Sequence, residues 1–279
     1  VTPMQTVPLQ MGDIPVRLHF FMACCCALLF IPSAAVVPWY SLSLTVALQM
    51  TVCALPGLVR HEKKNYERRD AALVFSWVAG MYIFMQCTPI FAGGLHFPLK
   101  DRLFASLDAR LGVNVVAIVL WMGFHPVLRG VLDRSYDLLP PFLLVAALAP
   151  ALLGKKIAAE RFLAANAIAF VTAVPVFCLL PAIGRWAGLG FPASSAQAAC
   201  EQAIFAMRGG SHSATAGIVC LPSFHTVRAV LSASAFCDWR LLCGPATVLA
   251  ILIVVSTLTT GWHYAVDVLA GLVWAFGSV

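Results

Sequence analysis

The repeated apolar blocks of this chain limit its fold more than any other feature, because each is about the length that crosses a lipid bilayer, roughly 17 to 25 residues. Of the 279 residues, 61% are hydrophobic and only 11% are charged. A soluble domain has about 25% charged residues. The pattern predicts an all-α, polytopic integral membrane protein.

Eight candidate transmembrane helices form the predicted bundle. They lie at 18–37, 40–59, 71–91, 135–153, 162–182, 222–238, 245–260 and 263–279. The first is interpreted as an uncleaved span, since a second apolar block follows at once. The stretch 113–128 is also apolar and could be a re-entrant helix, an interfacial helix or a ninth crossing. We expect one structural domain, with N-terminal spans in 1–96 and the functional motifs in 97–279.

Basic loops predict the orientation. The loop 60–70 carries five Lys/Arg, 154–161 carries three more, and Arg240 lies in a third turn. With eight spans these loops share one side, which the positive-inside rule makes cytoplasmic. They also account for the net charge of +6, so nucleic-acid binding is disfavoured. Two longer segments, 92–134 and 183–221, then fall on the outer side.

The first outer segment contains "LKDRLFASLDARLG". Leu103, Leu107 and Leu111 are spaced i, i+4, i+8 among charged residues, which is typical of a helix lying in the membrane interface. Asp101 and Asp108 share one face, but a metal site built on them is disfavoured. We expect no metal and no other cofactor.

Ten cysteines show no CxxC pair and no metal-ligand spacing. Most lie in apolar blocks, where a thiol packs as a small hydrophobic group. Cys200 and Cys220 both fall in the second outer segment, so a disulfide between them stays open.

Two motifs carry the chemistry. In "LPSFHTVRA", Pro222 and Ser223 precede an apolar helical run, so Ser223 is a candidate N-cap and His225 lies in the first turn. The amides of such a first turn form an anion site. In "GWHYAVDVLAG", Gly261 separates two apolar runs and a helix is expected to start beside it.

His263 and Asp267 are at i and i+4, so they are predicted to share one face of that last helix. A carboxylate beside an imidazole orients the ring and raises its basicity. Two crossings, joined by a turn in "CDWRLLCGP" (237–245), would return the chain to the side where it started. His225 and His263 are therefore expected to meet at the outer membrane surface.

PSFH followed by HYxxD resembles the signatures of the type 2 phosphatidic acid phosphatase superfamily, and most closely the branch that includes inositol phosphorylceramide synthase. "DRLFASLDARLG" and "LLPAIGRW" are similar to that branch too. The resemblance covers about 97–279. It implies that His263 attacks phosphorus, that Asp267 orients His263, and that His225 protonates the leaving group and then activates the acceptor.

The phosphate-binding cations of that family are not matched. The family's third signature has an arginine six residues before the attacking histidine, and Thr257 stands at that position. Phe224 replaces the usual glycine of the second signature. The first signature, a lysine followed after six residues by Arg-Pro, has no copy. The candidate phosphate ligands are Ser223, Arg228, Arg208 and Arg185, with Lys100, Arg102 and Arg134 behind them.

The predicted function is a metal-independent membrane lipid-phosphate phosphatase with a phosphohistidine intermediate. Phosphotransfer from a lipid to an alcohol acceptor uses the same residues and stays open, and so does a non-catalytic, lipid-binding membrane protein. The expected partners are a lipid phosphate and the bilayer. The resemblance favours a bacterial inner membrane, with the site on the periplasmic face.

Overall fold

The computed structural model describes residues 95–187, 191–209 and 221–279, together with Val74, Thr88 and Ala92. Throughout this part of the chain the regular structure is helical, as predicted, and it contains no strand. The helices of the described ranges are α1 (Asp101–Arg110), α2 (Val115–Gly123), α3 (Pro126–Asp137), α4 (Leu139–Leu152), α5 (Lys156–Leu179), α6 (Ser195–Arg208), α7 (Phe224–Ser234), α8 (Cys243–Thr259) and α9 (Ala265–Gly277).

The predicted number of membrane crossings is not confirmed. The predicted spans 18–37, 40–59 and 71–91 lie outside the described residues, apart from Val74 and Thr88. Of the described helices, α5 is long and apolar enough to cross a bilayer. Two bent pairs, α1 with α2 at 86° and α3 with α4 at 44°, could each be one broken span. The described part of the chain thus offers one to three candidate spans, and eight are not confirmed.

Helix ends explain much of this difference. Helix α7 has 11 residues and extends about 17 Å at 1.5 Å per residue, roughly half of a hydrocarbon core about 30 Å thick. Helices α8 and α9 are also apolar, and they have 17 and 13 residues, so α8 lies at the lower limit of a span and α9 below it. The predicted spans 222–238 and 263–279 include residues 222–223 and 263–264, which lie in the connections before α7 and α9.

The stretch 113–128 is a short helix set at a sharp angle to its neighbour. Helix α2 has nine residues, too few for a crossing by itself. Gly112, with φ +73°, adopts the left-handed conformation at the bend. The Asn114 side chain then caps α2 by accepting a hydrogen bond of 3.0 Å from the Ala117 amide. This is the geometry of a re-entrant segment or a broken span.

The predicted hairpin after the first motif is confirmed. Helix α7 ends at Ser234, the chain turns, and α8 returns along α7, while α9 also packs against α7. The approach of α9 is close, because a Cβ atom added to Gly271 would lie 2.7 Å from the Ser223 carbonyl oxygen. Trp274 of α9 donates from Nε1 to the Ala169 carbonyl of α5, at 3.1 Å.

An aromatic cluster joins α5 to the start of α7. The Phe224 ring meets Phe170 and Phe177 edge to face, with centroids 5.1 and 5.5 Å apart. The opposite surfaces of α5, α8 and α9 expose large apolar side chains. These include Ile168, Val248, Ile251, Val273 and Phe276. Such an extended apolar surface is typical of a membrane-associated protein.

Candidate active site

The first motif builds a capped helix start, as predicted. Ser223 has an extended backbone, and its Oγ accepts hydrogen bonds from the Thr226 amide at 3.4 Å and from the Thr226 hydroxyl at 3.2 Å. The Ser223 amide donates to the Asp267 carbonyl at 2.9 Å. This bond ties the start of α7 to the first turn of α9. His225 lies in the first turn of α7, directly beside the second motif.

In the second motif, His263 lies before the first residue of α9 and not on the helix itself. Helix α9 begins at Ala265 with Tyr264 as N-cap, so His263 precedes the cap. Gly261, with φ +75°, makes the break, and a Cβ atom added there would lie 2.5 Å from the Phe191 ring. The expectation that His263 and Asp267 share a helix face is therefore wrong in detail, because Gly261 delays the helix start.

The histidine and the aspartate nevertheless meet. Asp267 is fully buried, and its Oδ2 accepts a hydrogen bond of 3.0 Å from the Tyr264 amide. The same oxygen lies 3.6 Å from Nδ1 of His263, which is itself buried. That separation is an ion-pair distance, longer than a direct hydrogen bond. Within the described ranges, neither His263 Nδ1 nor Asp267 Oδ1 has a hydrogen-bond partner.

The two imidazoles are adjacent. Their ring centroids are 5.7 Å apart, at an interplanar angle of 61°. His225 also stacks on Tyr136 of α3, with centroids 4.4 Å apart and planes within 19°. Sequence reasoning missed Tyr136, because it belongs to no motif and lies in another helix. A group held between His225 and His263 would contact both rings.

The three arginines proposed as phosphate ligands separate into two groups. Arg228 is buried on α7, with its Cζ 5.8 Å from the Phe224 ring centre, and lies within electrostatic range of His225. Arg185 lies with its Cζ 5.8 Å from the Tyr264 ring centre. Arg208 donates from Nη2 to the His96 carbonyl at 3.3 Å. Arg228 and Arg185 therefore border the two motifs directly.

The lesser cation candidates are placed differently. The side chains of Arg102 and Arg134 are exposed. Lys100 is the N-cap residue of α1, and its amide donates to the Pro181 carbonyl at 2.8 Å. Thr257, at the family's arginine position, is buried and donates to the Val254 carbonyl of its own helix at 2.7 Å. The hydroxyl of Thr257 therefore bonds within α8.

Two aspartates of α1 form part of the site, which sequence reasoning did not predict. The leucine face of α1 is exposed at Leu103 and Leu111, as an interfacial helix requires. The other face buries Asp101 and Asp108. Asp108 accepts hydrogen bonds from the first two amides of α9, and Asp101 accepts one from the Tyr264 hydroxyl. The seven-residue spacing of Asp101 and Asp108 indicated that they share a face of the helix. It did not indicate which residues they contact.

One open pairing stays a prediction. Cys200 lies half-buried on α6, and Cys220 lies outside the described residues, so a disulfide between them is untested.

These features define a class: a membrane-associated helical protein in which the starts of two helices bring a pair of histidines onto a buried carboxylate. The sequence profile of the PAP2 superfamily matches residues 102–279, and the chain belongs to that superfamily. Its members are generally phosphoester hydrolases or phosphotransferases. No curated protein and no solved structure matches the chain significantly. The narrower resemblance to the inositol phosphorylceramide synthase branch stays a prediction.

Proposed function

We propose that the protein is a membrane lipid-phosphate phosphatase that acts through a phosphohistidine on His263. One observation carries the proposal. In a chain of the PAP2 superfamily, the imidazoles of His225 and His263 lie 5.7 Å apart, and a buried carboxylate lies behind the second of them. This is the arrangement that a two-step phosphoryl transfer needs: a nucleophile, its orienting group and a proton donor.

The roles follow from the geometry of the two rings. Because Nδ1 of His263 is the nitrogen near Asp267, Nε2 is the nitrogen that attacks phosphorus. The bond from phosphorus to the lipid oxygen breaks as the bond from Nε2 to phosphorus forms, and His225 gives its proton to the departing oxygen. In the second step His225 takes a proton from water, whose oxygen attacks phosphorus and releases His263.

The first turn of α7, which carries His225, offers groups that can bind an anion. The amides of Phe224 and His225 have no hydrogen-bond partner in the described part of the chain, as expected for the first turn of a helix. Such amides favour a bound phosphate. We propose that they hold the phosphoryl oxygens together with Ser223 and Arg228. Arg185, beside Tyr264, is the second candidate cation, and Arg208 is the third.

The test uses the purified full chain in mixed micelles with phosphatidate as the probe lipid. We expect phosphate release by the parent, and loss of at least about 1,000-fold in His263→Ala, because the nucleophile is removed. The matched control is His125→Ala, since that ring contacts Trp121 and lies in neither motif. Parental activity in His263→Ala would refute the nucleophile assignment.

Acceptor choice is tested in the same assay. Added alcohols such as glycerol or inositol compete with water for the phosphoenzyme. If the alcohol is phosphorylated while release of inorganic phosphate falls, the protein is a phosphotransferase. If several lipid phosphates bind but none turns over, the non-catalytic alternative is favoured.

The proposed sidedness has its own test. The turn that carries Arg240 lies at the opposite end of α7 from His225, and we propose that this end of the helix is the cytoplasmic one, because basic residues favour that side. An epitope inserted at Arg240 is expected to be accessible only from the cytoplasm. Accessibility from the outside would reverse the proposed orientation of the site, which is periplasmic in a bacterial inner membrane.

A further inference from the structure

We propose that α1 is a positioning element for the nucleophile, and that Asp108 and Asp101 fix the backbone that carries His263 without touching substrate. This inference rests on the proposed role of His263. It assigns a task to the carboxylates of a helix whose sequence indicates only an amphipathic surface.

Asp108 contributes the most direct contact. Its Oδ2 accepts a hydrogen bond from the Ala265 amide at 3.1 Å, and its Oδ1 accepts one from the Val266 amide at 2.9 Å. Only 1% of Asp108 is exposed. The first amides of a helix have no partner within the helix, and a carboxylate there also interacts favourably with the helix dipole. Asp108 therefore caps α9 from a different helix.

The whole backbone around the nucleophile is held in this way. The His263 amide donates to the Thr257 carbonyl at 3.3 Å, and the Tyr264 amide donates to Asp267 at 3.0 Å. With the two bonds to Asp108, four consecutive amides from His263 onward have fixed acceptors. The backbone of this segment fixes the position of the His263 Cβ atom. Only the two side-chain torsions of His263 then remain to orient the imidazole.

Asp101 fixes the neighbouring side chain. Its Oδ1 accepts a hydrogen bond of 2.9 Å from the Tyr264 hydroxyl, and its carboxylate also accepts the amides of Ile183 and Gly184, both at 3.0 Å. Tyr264 is fully buried and meets the Phe104 ring of α1 edge to face at 5.6 Å. Tyr264 thus joins the nucleophile segment to α1 and to the loop that precedes Arg185.

These contacts predict a loss in turnover and not in substrate affinity. Displacing a reacting group by about 1 Å can cost about 100-fold in rate. A residue that acts through the nucleophile should lower kcat and leave KM nearly unchanged. A residue needed only for folding should lower the amount of folded protein, with each folded molecule retaining its parental kcat.

The test compares Asp108→Asn, Tyr264→Phe and the matched control Asp133→Asn, an exposed helical aspartate paired with Arg129. Rates on phosphatidate are normalised to monodisperse, folded protein. We expect kcat to fall about 30-fold in Asp108→Asn and about fivefold in Tyr264→Phe, with KM within about threefold of the parent. Asp133→Asn should have parental values. Tyr264→Phe preserves the aromatic ring. If Asp108→Asn does not fold, the kcat of Tyr264→Phe tests the proposal.

A readout that needs no activity separates this inference from the proposed function. Amide hydrogen exchange of the peptide covering 263–267 should be faster in Asp108→Asn, while exchange of 224–228 stays parental. Unchanged exchange at 263–267, or a parental kcat in both Asp108→Asn and Tyr264→Phe, would overturn the positioning role. Activity that survives His263→Ala would overturn the proposed nucleophile, whatever the exchange shows.

Discussion

The starts of α7 and α9 lie side by side, and each has a histidine within two residues of its first turn. They differ in whether the first amides of the helix have hydrogen-bond acceptors. Helix α7 is capped by its own Ser223, and the amides of Phe224 and His225 stay available within the described part of the chain. The first amides of α9 are bound by Asp108. We call the start of α7 the open start, because we propose that it binds an anion, and the start of α9 the rigid start, because its first amides already have acceptors.

Charge strengthens this contrast. Helix α9 begins among two buried carboxylates, Asp108 and Asp267, which would repel a phosphate but stabilise positive charge on the His263 ring. Helix α7 begins beside Arg228. We therefore expect the phosphoryl group to lie towards α7 while its phosphorus faces His263. The proposed nucleophile belongs to the rigid start, and the proposed proton donor belongs to the open start.

The largest effect should come from the proton donor of the open start. His225→Ala is expected to lower phosphatidate turnover about 1,000-fold, within the range of general acid catalysis. p-Nitrophenyl phosphate is a phosphomonoester whose leaving group needs no proton. The release of the first equivalent of nitrophenolate should then be nearly parental, as measured by stopped flow. An equal defect on both substrates would show that His225 is not the general acid.

The next largest effect should come from Asp267, the carboxylate beside His263. Asp267→Asn preserves the shape but can place an N–H towards His263, so the ring loses its orienting acceptor. We expect kcat to fall about 100-fold, as for other groups that orient a reacting histidine. Steady-state rates and the yield of acid-labile phosphoenzyme measure this effect. Asp133→Asn is again the control, and a parental phosphoenzyme yield in Asp267→Asn would contradict the role.

The cation of the open start should matter less. Arg228→Gln removes a charged donor near His225, which is worth about 2 kcal/mol or about 30-fold in kcat/KM. Arg208→Gln is the matched comparison, since its hydrogen bond to the His96 carbonyl lies outside the two motifs. We expect less than about threefold there. If Arg208→Gln costs more than Arg228→Gln, the proposed clamp is wrong.

The parts of the site that the sequence predicts are those encoded locally. Ser223 follows proline before an apolar run, Gly261 interrupts another, and the turn between α7 and α8 is marked by charge and glycine, so both helix starts could be placed side by side. Asp108 could not be assigned, because its partner Ala265 is 157 residues away. A surface-like pattern of charges does not reveal which face of α1 is buried.

The predicted number of spans is not confirmed for a related reason. Hydropathy sums apolar residues over a window, and it is insensitive to a break such as the one between Asp137 and Leu139, where α3 and α4 bend by 44°. Tyr136, one residue before that break, was likewise assigned to a span. The bend sets the end of α3 beside α7, and the ring that stacks on His225 comes from there.

The smallest effect, and the sharpest test of the open start, is at Ser223. Ser223→Ala removes the cap and should destabilise the protein by about 1 kcal/mol, whereas Ser223→Gly should cost only a few tenths. Thermal unfolding in detergent measures this difference.

The activity of the two variants then separates the two roles of the Ser223 hydroxyl. If it only caps α7, Ser223→Gly keeps nearly parental kcat/KM. If it also binds phosphate, both variants lose the same several-fold in kcat/KM despite their different stabilities, because both lack the donor. Equal stabilities for the two variants would instead show that the Ser223 hydroxyl does not stabilise this helix start.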